Sequence, residues 1–529
     1  MKKYIEPVRI VDSENCVEPE NILKGLPCQA GFCKNDSMVI KSGGYILLDF
    51  GKEIHGCIAV TALETSARPV KSRIVYGESV MEALSNIGEK NSTNAHAIRD
   101  MVVDIMPWST TKYGETGFRF AKVEALDGDI RIKSINAIPE IRDIPYIGSF
   151  ECSDERLNEI WRVGAYTVQL NMHDYIWDGI KRDRLVWVGD MHPEVSVIRT
   201  VFGNDESVRK SLDFIRDETG EDEWMNGMPT YSMWWIIIHY EWFMHWGDAE
   251  YLKEQLDYMK VVVNKAVAWI DSGYNCDDFK VFVDWSSRFS EGEMDGIKAV
   301  FCMGLDCAAK VFDAMQENEY SEKCRAYVKR MQSEEITING NKRMSALTVL
   351  SGRDSHLAQS VISDNSAEGM SCFMGYYIIK AKAMLGQTKD AVDVIRKYWG
   401  GMLDMGATTF WEDFDIRWME NSARIDERTP EGMQDIHGDF GRYCYEGYRQ
   451  SLCHGWASGP TPFLMEQVGG IEILEPGCKK IRINPAPAGL KWFKIKYPTP
   501  YGILSVSYDI SSGEEILDIN GPYEVEIVR

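Results

Sequence analysis

The chain has 529 residues, enough for two to four domains, and 44% of them are hydrophobic, enough to fill large cores. Its formal net charge of −23, from 58 basic and 81 acidic residues, argues against nucleic acid or an anionic membrane as partner. The longest apolar run, around Met233–Ile238, is far short of the roughly 20 residues that a membrane span needs. The opening "MKKYIEPVRI" has no apolar stretch behind its lysines, so no signal peptide is read. The 13 cysteines, an odd number without C-x-x-C spacing, fit reduced thiols in a cytoplasmic protein. The nine histidines do not cluster, and His239 and His245 lack the H-E-x-x-H arrangement, so neither a metal nor another cofactor is expected.

In chain order, residues 1–148 read as β structure. "GYILLDFGKEIHGCIAVTALET", "KSRIVYGESV" and "GFRFAKVEAL" alternate apolar and polar residues between glycine and charged turns, which predicts an N-terminal β-sandwich domain. From about residue 149 the period changes to that of helices. "SDERLNEIWRVGAYTVQLNMHDY" predicts a helix with Ser153 as N-cap and with Leu157, Ile160, Trp161 and Val168 on one face. "ESVRKSLDFIRD", "WWIIIHYEWFMHW", "AEYLKEQLDYMKVVVNKAVAWI" and "TKDAVDVIRKYWGGML" continue the pattern. About eleven or twelve helices with short linkers, over residues 149–467, fit a closed ring of helix pairs, an (α/α)6 barrel. No repeat of fixed length appears, which excludes a helical solenoid. Residues 468–529 return to strands and predict a small C-terminal β-sandwich domain. The expected fold is thus multidomain, a central all-α barrel between two β domains.

Chemistry is suggested by "DGIKRDRLVWVGD", residues 178–190. It places Asp178, Asp183 and Asp190 in one glycine-punctuated loop, with Arg182 and Arg184 on either side of Asp183 and Trp187 close by. A solvated acidic loop would look similar. A second cluster far downstream, "GATTFWEDFD", carries Glu412 between Trp411 and Asp413. Two carboxyl groups with aromatic neighbours, on loops of a helical barrel, are what glycoside hydrolysis requires. One protonates the leaving oxygen, and the other activates water or attacks carbon. A carboxyl group that must give up a proton should not be pinned by an arginine. Arg182 and Arg184 are therefore expected to aim at Asp178 or at the sugar.

These motifs, in this order, resemble glycoside hydrolase family 78, the inverting α-L-rhamnosidases. The first matches the family's D-x-x-x-R-[DE]-R-x-x-W-x-G-D stretch, and "GATTFWEDFD", "VFVDWSS" and "SLCHGWASGP" match later ones. "LLDFGKEIHG" and "TGFRFAKVEA" resemble the β domain before the family's barrel, and "PGCKKIRINP" its C-terminal sandwich, so the resemblance covers nearly the whole chain. It implies Asp183 as general acid and Glu412 as general base. It also implies Asp178, Arg182 and Asp190 as holders of sugar hydroxyls, Trp187 as a wall, and Trp285 and His454 as further sugar contacts. Trp234 or Trp235, and Trp411, are expected as additional walls. Asp183 stands where many members have Glu, Val186 where Gly is common, and Cys453 where Asn is usual. The extra N-terminal β domains of larger members are not seen, which suggests small rhamnose-containing glycosides as substrates.

Two rival readings stay open at this level. One is another (α/α)6 glycosidase, an unsaturated glucuronyl hydrolase or a glucoamylase-like enzyme. The other is an inactive sugar-binding protein, against which the presence of both Asp183 and Glu412 speaks. The oligomeric state is also open, a homodimer included.

Overall fold

The computed structural model describes residues 3–275, 282–285, 292–338, 340–353 and 355–529. The N-terminal part is a six-stranded antiparallel layer made of β1 (Arg9–Val17), β2 (Met38–Thr65), β3 (Val70–Gly77), β4 (Asp100–Ile105), β5 (Ser109–Ala125) and β6 (Ile130–Pro139). β2 is 28 residues long and pairs with three strands. β5 runs along most of it, β1 flanks its first half, and β6 touches both of its ends, so the layer curls over its own core. The curl needs a bend within β2. At Gly56, with φ 154°, a Cβ would sit 2.1 Å from the carbonyl oxygen of Ile138. A short helix, α1 (Val80–Leu84), follows β3 and is capped by Ser79, which accepts from Glu82 N.

The helical middle begins after β7 (Ser149–Cys152). It comprises α2 (Glu155–Asn171), α3 (Met191–Val197), α4 (Glu206–Asp217), α5 (Pro229–Trp246), α6 (Ala249–Asp271), α7 (Glu293–Ala314), α8 (Asn318–Gln332), α9 (Lys342–Leu350), α10 (His356–Ser363), α11 (Cys372–Met384), α12 (Thr388–Asp404) and the single turn α13 (Pro460–Phe463). Sequential helices pack on each other or on the next but one, as in α5 with α7, α7 with α8, and α9 with α11. Between α12 and α13 the chain is mostly loop, with a two-residue parallel pair, β8 (Ser422–Ala423) and β9 (Gln434–Asp435). The cap of α2 is Asp154, which accepts from Arg156 N, and not Ser153 as expected. Ser153 is drawn away to the C-terminal sheet, where its N donates to Trp492 O and its Oγ accepts from Lys491 N.

The C-terminal part holds β10 (Ile471–Glu475), β11 (Lys480–Ile483), β12 (Trp492–Thr499), β13 (Gly502–Asp509), β14 (Ile516–Asn520) and β15 (Glu526–Val528). They form two sheets, and β7 completes the larger as the antiparallel neighbour of β12. One continuous apolar core therefore runs from the helices into these sheets, whereas the N-terminal layer has its own. Among the described residues no disulfide forms, and no helix is long and apolar enough to cross a membrane.

α5 explains one expectation that the structure overturns. Pro229 starts the helix and Gly247 ends it in the left-handed conformation. Between them the helix is apolar on nearly every side and buried on nearly every side, as such a helix must be. Trp234 and Trp235 are both fully buried within it. Trp234, expected as a wall of the sugar site, stacks on His192 at 4.9 Å and on Tyr377 at 4.8 Å, deep among the helices. Its role is packing. Replacing it with alanine is expected to cost about 3–5 kcal/mol of stability. Denaturant unfolding should show that loss, with KM unchanged for the folded fraction.

Candidate active site

The loops that follow α2 and α12, together with residues 442–456, meet around an open cavity of about 630 Å³, the solvent space at its mouth included. Asp178, Arg182, Asp183, Trp187, Asp190, Trp285, Glu412 and His454 all line it. Eight of the sequence-derived positions are thus brought together from segments spread over more than half of the chain. Trp411 is not among them. It is 1% exposed and lies edge-on to Phe414 at 5.6 Å, so its bulk supports the loop of Glu412 from behind.

Arg182 holds the centre. Its Nη1 donates to Asp183 Oδ1 at 3.0 Å, and its Nη2 donates to Glu412 Oε1 in a shorter contact. Its Nε donates to Arg449 O at 3.0 Å, and the guanidinium lies over the Tyr445 ring. Burial works against this cation, but Glu412 and Asp183 outweigh it and hold its pKa well above the ordinary arginine value. The arginines therefore depart from expectation. Arg182 contacts Asp183 through one hydrogen bond, because Glu412 takes its other arm. Arg184 turns outward and donates from Nη2 to Glu115 O of β5.

Asp183 and Arg184 both have positive φ, 58° and 56°. Two successive side-chain-bearing residues in the left-handed region cost free energy, of order 1–2 kcal/mol each, so the surroundings must impose them. The β domain helps to do so. Gly117 N donates to Ile180 O, and His96 Nε2 lies 3.4 Å from Asp183 Oδ1. Asp183 keeps a partly exposed side chain, whereas Glu412 is buried. Glu412 Oε2 accepts from Ser451 N at 2.8 Å, and its carbonyl accepts from Trp456 Nε1 at 3.0 Å.

On the other side of the cavity lies a second set of acids. Asp190 Oδ1 accepts from Tyr231 OH at 2.9 Å, and its Oδ2 lies 2.9 Å from His454 Nε2. A Cβ at Gly189 would stand 2.3 Å from the Tyr231 ring, so that contact requires glycine. His454 Nδ1 faces Glu412 Oε1 at 3.8 Å. Burial disfavours the His454 charge, but Glu412 and Asp190 outweigh it and raise the pKa. Burial pushes the Asp178 carboxyl well above its usual range and raises that of Asp190, with His454 opposing both. Asp178 Oδ1 accepts from Leu185 N at 3.0 Å, which closes the loop on itself. The arrangement offers one partly exposed carboxyl, one buried carboxylate, and several acceptors and donors for a polyhydroxylated ligand.

Sequence reasoning missed several wall residues: Asn226, Met228, Tyr231, Phe282, Tyr445, Arg449 and Trp456. Asn226 also fixes the Trp187 segment, accepting from Val188 N at 3.1 Å and donating to Val186 O at 3.0 Å. Trp456 lies two residues beyond His454, and that proximity was the one available signal. Nothing in the local pattern marks Tyr231, which sits on a helix buried all round.

Two family models match the chain. The bacterial α-L-rhamnosidase six-hairpin glycosidase domain covers residues 145–346, and the bacterial α-L-rhamnosidase C-terminal domain covers residues 470–528. An α-L-rhamnosidase of Formosa agariphila is 21% identical over 96% of this chain and 56% of its own length. A family 78 rhamnosidase of Bacillus sp. GL1 superposes with a TM-score of 0.77 at 20% identity, over 96% of this chain and 55% of that one. A rhamnosidase of Klebsiella oxytoca with rhamnose bound superposes with a TM-score of 0.69 at 19% identity, over 88% of this chain and 95% of that one. The chain thus spans about half the length of the first two of these relatives.

Asp413, next to Glu412, gives the site a measurable pH signature. Burial first, and then Asp284, push its carboxyl to about 7, with the Phe414 N–H opposing. The folded chain therefore holds a proton there that the unfolded chain releases near pH 4. The stability this contributes is fully present below about pH 4 and is lost as pH rises through about 7. Asp413→Asn should flatten that limb. Thermal melts from about pH 4 to 8 should show Tm falling less steeply in the variant than in the parent chain.

Proposed function

We propose that the chain is an inverting α-L-rhamnosidase of glycoside hydrolase family 78 acting on small rhamnosides, a reading that the two rhamnosidase family-model matches and the rhamnosidase relatives support. Asp183 is the general acid, and Glu412 is the general base that activates water. One observation carries the reading: two carboxyl groups from distant loops meet at one cavity, on opposite arms of one guanidinium. The helical segment 149–467 forms the (α/α)6 barrel, with β-sandwich domains at 1–148 and 468–529.

In the reaction Asp183 gives its proton to the glycosidic oxygen as the C1–O bond breaks. Glu412 takes a proton from the water whose oxygen bonds to C1 from the opposite face. The alcohol and the sugar leave, and the two carboxyl groups exchange protons with solvent to reset. Two carboxyl groups and a water suffice for these steps. The partial exposure of Asp183 suits an acid that meets the aglycone, and the burial of Glu412 suits a base beneath the ring. Asp178, Arg182, Asp190 and His454 supply partners for the ring hydroxyls. Rhamnose also carries a methyl group at C6, and Trp187, Met228, Phe282 and Trp285 offer it an apolar wall.

Inversion requires a wide gap between the two carboxyl groups, with a water between the base and the anomeric carbon. Inverting pairs stand roughly 6.5–9.5 Å apart and retaining pairs about 5–5.5 Å. Asp183→Asn and Glu412→Gln should each lower kcat by roughly 10²–10⁴-fold while the fold persists, and the acid variant should lose less on an aryl rhamnoside with a good leaving group. NMR of the anomeric proton in the first minutes should show β-L-rhamnose released from an α-L-rhamnoside. If the α anomer appears first, Glu412 is a nucleophile and the inverting assignment fails.

A further inference from the structure

Behind the two carboxyl groups, against the N-terminal β layer, lies a buried ionic cluster that the mechanism above does not use. Lys181 immediately precedes Arg182. Its Nζ is 2.9 Å from Glu78 Oε2 and 3.2 Å from Glu82 Oε1, and it donates to Tyr448 O at 2.9 Å and to Gln450 O. Glu78 lies on the turn from β3 into α1 and Glu82 within α1, and both are fully buried. Glu78 Oε2 also accepts from Leu452 N at 2.6 Å, and Oε1 from Ser451 Oγ at 3.3 Å. Ser451 N in turn donates to Glu412 Oε2. One ammonium thus ties three segments: the turn of the β domain, the loop of Asp183, and the strip of backbone on which Glu412 rests.

Glu78, Glu82 and His437 are residue types that ligate metals, and their ligand atoms lie within 4.8 Å of one another. The Lys181 ammonium, however, already sits between the two carboxylates. His437 Nδ1 is bonded to Ser79 Oγ at 2.8 Å, and its Nε2 lies 3.1 Å from Gln450 O. The cluster is built as a tie. Apolar packing could also hold three segments together, but it lacks direction, whereas charge-assisted hydrogen bonds fix angle as well as distance.

We propose that Lys181, gripped by Glu78 and Glu82, is a positioning residue that sets the separation of Asp183 and Glu412, so that the N-terminal β domain is part of the catalytic machinery. The inference rests on the assignment of those two carboxyl groups as acid and base. A displacement of about 1 Å at a reacting group can cost on the order of 10²-fold in rate.

Lys181→Met alone strands two buried carboxylates, which is strongly destabilising. The test is therefore the triple variant Lys181→Met/Glu78→Gln/Glu82→Gln, which removes the charges together and keeps the volumes. On an aryl α-L-rhamnoside its kcat should fall about 10- to 100-fold with KM within about threefold, and Lys181→Arg should retain part of the rate. Glu82→Gln, the mildest change, serves if the triple variant does not fold, with a kcat loss of about three- to tenfold expected. Wild-type kcat in a folded triple variant or in Glu82→Gln, or a loss confined to KM, overturns the proposal. Asp183→Asn and Glu412→Gln are measured alongside. If they turn over like the parent, the acid–base assignment falls and takes this inference with it. If they are inactive while the triple variant is not, only the positioning role falls.

Discussion

The Arg182 guanidinium is buried between Asp183 and Glu412 and donates to both. A cation withdrawn from water is tolerated only where its partners are in place and well oriented. The loop after α2 and the loop after α12 are therefore bound to each other by charge, although 230 residues separate Arg182 from Glu412. Most of the site follows from that constraint. Glu412 must be buried to meet Arg182, so its second oxygen needs the Ser451 N–H, and the 448–456 segment must run beside it. Asp183 must reach back to the same guanidinium from the residue after it, which suits the left-handed turn at Asp183 and Arg184.

The charge in the cavity is layered rather than scattered. Among the acids that line it, Asp183 keeps the most exposed side chain, and Arg182 beside it is buried. Behind them, His454 is shared between Asp190 and Glu412. Deeper still, burial together with Asp190 and Asp178 pushes the Glu194 carboxyl well above its usual range. Acids that cannot all ionise together in one low-dielectric space separate into charged and neutral forms. The same packing brings both hydrogen-bond donors and acceptors to one cavity wall.

The β domain is not a passive neighbour of this site. Its turn after β3 supplies Glu78, α1 supplies Glu82, its 92–99 loop supplies His96, and β5 meets both Ile180 and Arg184. The C-terminal sheet is similarly engaged, since β7 leaves the start of the helical segment to pair with β12. Both β regions therefore brace the helices from which the cavity loops emerge.

The sequence alone determined the order of β, helical and β regions, because periods of 2 and 3.6 are local properties of the chain. It also determined the loop of Asp178, Asp183 and Asp190 and the step at Trp411 and Glu412, because those residues are dense and closely spaced. Only the tertiary structure decided which aromatic rings face the cavity. Trp234 and Trp411 have the right chemistry but point into the core, while Tyr231, Tyr445 and Trp456 line the cavity. A helix as apolar as α5 carries no polar face to orient it, so its packing partners alone choose which side meets the site. The aim of Arg182 was likewise undecided in one dimension. Which carboxylate a guanidinium meets depends on loops brought together from far along the chain, and no local spacing records that encounter.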